Sequence, residues 1–78
     1  MVKRALLTQL AEGYKSNESV HKEIEGSYFI MTARNGKKYL QIDTYWSDER
    51  EIPGKISQSI QFSLEAIEQL KKILLQYF

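Results

Sequence analysis

Arg34, Lys37 and Lys38 surround an Asn35-Gly36 pair, with Tyr39, Tyr45 and Trp46 just beyond, and Lys55 follows Pro53-Gly54. Cations flanking aromatic rings suit a single-stranded nucleic acid. Phosphates meet the cations, and unstacked bases meet the rings. The same rings serve equally as ordinary sheet aromatics, with Trp46 in a core, and their spacing alone does not separate the two. Other chemistries find less to build on. The chain has no cysteine and a single histidine, His21, which removes disulfides and thiolate metal sites. His21 has no Ser–acid arrangement beside it, and no Gly-rich phosphate loop occurs. Asp48, Glu49 and Glu51 cluster without the spacing of a Ca²⁺ loop and read as a solvated segment. The expectation is a binding protein and not an enzyme, with no cofactor and no metal.

Charge and size narrow this further. The formal net charge is +1, from 11 basic and 10 acidic residues, so a nucleic-acid site must rest on where the cations sit. At 78 residues there is room for one core. A domain of this size buries only ~60% of the surface its unfolded chain exposes. With disulfides excluded, a second copy of the chain is the common remaining source of burial. No run of ~18 apolar residues is present, so no membrane span is expected. The stretch after Met1-Val2-Lys3-Arg4 is too short and polar for a signal-peptide core, which points to the cytoplasm.

The elements that must position these residues follow from periodicity. Val2, Leu6, Leu7 and Leu10 recur at helical spacing, with Gly13 as a stop, and predict a short N-terminal helix over 2–12. Residues 14–19 are polar and read as a linker. A short strand is expected over Val20–Glu25, a turn at Gly26-Ser27, and a strand over Tyr28–Arg34. Asn35-Gly36 predicts a type I′ hairpin turn. The return strand, Lys37–Trp46, puts Leu40, Ile42 and Thr44 on one face and Tyr39, Gln41, Asp43 and Tyr45 on the other. Lys55–Phe62 alternates Ile56, Gln58, Ile60 and Phe62 against Ser57, Ser59 and Gln61. That second face, polar and uncharged, suits a flat ligand or plain solvent. Ser63 is placed as an N-cap, and Glu65 favours the helix dipole. Ile67, Leu70, Ile73, Leu74 and Tyr77 then make an apolar stripe too wide for one small sheet, and Phe78 extends it. They are the expected dimer seam, unless the N-terminal helix covers them.

The ordered set Tyr39 to Asp48 (Tyr-Leu-Gln-Ile-Asp-Thr-Tyr-Trp-Ser-Asp), Pro53-Gly54-Lys55, and Ser59 to Lys71 resembles the positive cofactor four family. These are transcriptional coactivators and single-stranded-DNA-binding proteins with bacterial and phage members. The resemblance covers roughly half the chain. It implies a curved four-stranded antiparallel sheet followed by an amphipathic helix, an α+β fold that dimerises through the helix. The division is then residues 1–19 as N-terminal helix and linker, and 20–78 as the binding domain. It implies largely sequence-independent binding of single-stranded DNA, in replication, recombination or transcription, alongside proteins of those processes. In a phage the setting would be the host cytoplasm or nucleoid. Trp46 falls on a DNA-contacting aromatic, and Lys37 and Lys55 fall on basic positions. Arg34 stands where the family has an aromatic, Asp43 where it has an arginine, and Ile52 and Ile56 where it has basic residues. A protein-interaction module on the same fold is the alternative these departures leave open.

Overall fold

A computed structural model describes residues 3–45 and 56–78. Four strands and one helix follow in order: β1 (Lys3–Leu7), β2 (Glu25–Thr32), β3 (Lys38–Tyr45), β4 (Ile56–Phe62) and α1 (Leu64–Tyr77). The strands form one sheet ordered β1-β4-β3-β2. The α+β class and the sheet-then-helix order are as expected.

The expected N-terminal helix is replaced by β1, which pairs with β4 in parallel, Lys3 opposite Gln58 through Leu7 opposite Phe62. The sheet is therefore mixed, not purely antiparallel. Lys3–Leu7 has fair helix propensity, but a helix this short is marginal by itself. The outer edge of β4 offers a row of unpaired backbone groups, and five residues of strand satisfy them. The Ser63 N–H adds one more bond to the Leu7 carbonyl at 3.0 Å.

Gly26-Ser27 is no turn either, and the expected strand over Val20–Glu25 reduces to Glu25, where β2 begins. β2 runs through Gly26 and Ser27 without a break, antiparallel to β3, with Gly26 opposite Thr44. Glycine suits the position because a Cβ at Gly26 would sit 3.1 Å from the Asp43 carbonyl oxygen, a tight contact that the strand pair must ease by a few tenths of an ångström. Gly26→Ala is expected to force the two strands apart and cost about 1–3 kcal/mol, read as a lowered denaturation midpoint with unchanged slope.

The hairpin tip also departs from type I′. Gly36 alone has positive φ, at 85°. The Gly36 N–H bonds the Ala33 carbonyl at 2.9 Å, and the Ala33 N–H bonds the Lys37 carbonyl at 2.8 Å. This is a three-residue loop closed by a glycine bulge, which leaves Asn35 in ordinary backbone. Asn35 instead accepts the Lys37 N–H on Oδ1 at 3.0 Å. A second bulge interrupts β3 and β4 between Thr44 and Tyr45.

Residues 8–24 join β1 to β2 outside the sheet. Gln69 of α1 fastens their start. It accepts the Leu10 N–H at 2.8 Å and donates to the Leu10 carbonyl at 3.2 Å. Further along, Glu18 meets His21 at 2.6 Å and Lys15 at 3.7 Å, all on the surface.

Ser63 caps α1 as expected, accepting the Ala66 N–H on Oγ at 3.3 Å. The carboxyl of Glu65 is held below its usual 4.5, first by its own backbone N–H, then by Ser63 and the nearby charge of Lys37. Because the folded value is lowered, Glu65 stabilises the fold above pH ~4.5 and this is lost as pH falls through the lowered value. The stability gap between the chain and its Glu65→Gln variant should therefore close on acidification.

The helix lies against β3 and β4, and Ala66 is the only buried apolar residue among those described. No helix among the described residues is long and apolar enough to cross a membrane. The chain exposes 7238 Å², whereas a compact monomer of this mass exposes ~4,900 Å².

Candidate nucleic-acid interface

Register sorts the side chains into two faces. Across one lie Tyr28 and Ile30 of β2, Leu40 and Ile42 of β3, Ile60 and Phe62 of β4, and Ala5 and Leu7 of β1. Across the other lie Ser27, Phe29 and Met31, then Tyr39, Gln41 and Asp43, then Ser59 and Gln61, and finally Arg4 and Leu6. The two polar alternations read from the separate strands thus coincide on one side of the sheet.

The middle of the polar face is wired together. Asp43 Oδ1 accepts from Ser59 Oγ at 2.7 Å and from Gln41 Nε2 at 3.0 Å. Gln61 Nε2 donates to Gln41 Oε1 at 3.1 Å. Asp43 is 3% exposed. Its charge is not displayed on the surface but spent on neighbours, which alters the meaning of an acid at this position. Beside the network a pocket of about 200 Å³ opens between Arg4, Ala5, Gln41, Ser59 and Gln61.

Around this floor stand larger groups. Phe29 and Met31 are 44% and 39% exposed, and Tyr39 and Tyr45 are half-buried. Arg34 sits at the exposed hairpin tip, and Lys37 follows the glycine bulge. Lys37 lies close enough to Glu65 to lower that carboxyl. Lys38 separates from this group: paired with Thr32, it alternates onto the apolar face. Trp46 and Lys55 lie outside the described residues, as does the acidic group Asp48–Glu51.

Arg4 is the site residue that sequence reasoning missed. A helical reading of 2–12 detaches it from the sheet, whereas β1 places it beside Ser59. Its one legible signal was the short apolar run Ala5-Leu6-Leu7 beside it, of strand length.

The expected seam residues divide. Ile67 and Leu70 are half-buried within the chain, while Ile73, Leu74 and Tyr77 are exposed, as are Leu75 and Phe78. No protein-family model, curated protein or solved structure matches this chain.

Proposed function

We propose that this chain is a homodimeric single-stranded-DNA-binding protein, of the kind its resemblance to the positive cofactor four family implies. The observation that carries the reading is the register that gathers Phe29, Tyr39, Gln41, Ser59, Gln61 and Arg4 on one sheet face. Rings stack bases of any sequence, and amides and hydroxyls meet base edges. Arg34 and Lys37 at the hairpin end meet phosphates together with Lys55, Trp46 stacks on a base, and Arg4 on the edge strand meets a base edge. Burial of Asp43 supports this reading against the protein-interaction alternative, because the acid does not repel a passing backbone from the surface.

The dimer rests on a separate observation. The exposed surface exceeds that of a compact monomer by roughly 2,300 Å². Pairing of two copies over the α1 end and the open apolar face would reduce this excess, obligate dimers burying about 2,000–5,000 Å² in total.

Titrating a labelled thymidine oligonucleotide at several salt concentrations tests the reading. Arg34, Lys37 and Lys55 give three phosphate contacts and a log–log salt slope of about −2, at −0.7 per contact. A flat salt response, or equal affinity for duplex, overturns it.

A further inference from the structure

We propose that the pocket between Arg4, Gln41, Ser59 and Gln61 reads the edge of one nucleobase and favours guanine. This rests on the single-stranded-DNA reading and adds a sequence preference to it. The inference starts from hydrogen-bond polarity. An ionised carboxylate only accepts. Asp43 therefore fixes the Gln41 amide with its NH₂ inward, at 3.0 Å, and takes the Ser59 proton at 2.7 Å. Gln41 Oε1 must then accept, and Gln61 Nε2 supplies the donor at 3.1 Å. The amide flips that otherwise leave glutamine indifferent to its ligand are removed in sequence along the chain. What stays unspent among the described residues is a matched set. Gln61 Oε1 and the Ser59 Oγ lone pairs accept, and the Arg4 guanidinium donates.

Guanine fits that set. Its adjacent imino and amino groups donate together, while O6 and N7 form the acceptor pair that arginine grips with two parallel bonds. Thymine offers one donor between two acceptors and leaves an acceptor of the pocket unpaired. Phosphate is disfavoured in the same place because Asp43 lies directly beneath. Asp43 acts as a positioning residue, reaching the base through Gln41 and Ser59.

The test compares three oligonucleotides of equal length: all thymidine, thymidine with one central guanine, and thymidine with one central hypoxanthine, which lacks the amino group. Competition binding at fixed salt should show guanine favoured about tenfold over thymine, with hypoxanthine between them. Gln61→Met should bring the guanine-to-thymine ratio to about one. Asp43→Asn, which can donate and so release the amide order, should lower the ratio as well. The ratio is read within one preparation, so a general loss of stability does not move it. Equal affinity of the unaltered chain for all three, or preference for another base, overturns the pocket assignment and leaves single-strand binding standing. Failure to bind any of the three overturns both.

Discussion

A chain carrying Ile73→Asp and Leu74→Asp is expected to sediment as one copy of 9.1 kDa, and the unaltered chain at twice that mass. Ile73 is 39% and Leu74 47% exposed on the last turns of α1, next to Leu75 and Phe78 at 86% and 98%. Among the described residues nothing covers them fully. A two-fold pair applies each substitution twice, because the same patch serves both partners. Burying each leucine or isoleucine is worth ~1.5–3 kcal/mol, and an unpaired carboxylate in its place costs several more. The dissociation constant should rise at least a thousandfold, about 4 kcal/mol. Since Ala66 is the only buried apolar residue described, the separated copies should also melt without a sharp transition. A sedimenting mass of one copy for the unaltered chain at micromolar concentration would falsify the dimer.

The second large effect concerns the rings. Tyr39→Ala is expected to weaken binding of a thymidine oligonucleotide about tenfold, from stacking worth ~1–3 kcal/mol per base. Trp46→Ala should do the same with little change in thermal midpoint. If the tryptophan is instead a core residue, the midpoint collapses by the ~3–5 kcal/mol of a buried Trp→Ala change, with no selective loss of binding. The two adjacent lysines should then separate. Lys37→Ala reduces the salt slope by about 0.7. Lys38→Ala leaves it unchanged, because alternation carries that side chain to the apolar face. Equal effects of Lys37 and Lys38 would place the strand on the hairpin end and not across the polar face.

Much of the fold was readable in the chain because its signals are local. The alternation of β3 and β4 needs only a period of two, and Ser63 followed by a periodic apolar stripe marks α1 within a few residues. The errors share one cause. Lys3–Leu7 is short and helix-permissive, and its strand conformation comes from backbone groups of β4 more than fifty positions away. Gly26 looked like punctuation, but it is a glycine because the Asp43 carbonyl approaches it closely from the next strand. The hairpin glycine was correctly located, yet Asn-Gly serves both a two-residue turn and the second half of a bulged loop, and strand pairing selects between them.

The site divides along the same line. Composition and spacing alone determined its chemistry: cations beside rings at one hairpin, a polar uncharged strand face, and neither thiol nor second histidine. Tertiary structure alone decided its membership. Register brought Gln41 and Asp43 of one strand against Gln61 and Ser59 of another, added Arg4 from the edge and sent Lys38 to the far side. It also turned Asp43 from an apparent obstacle into the buried anchor of a hydrogen-bond chain. The reason is physical: side-chain type fixes what a group can donate or accept. Which groups meet depends on non-local strand pairing, and no pattern within one segment encodes it.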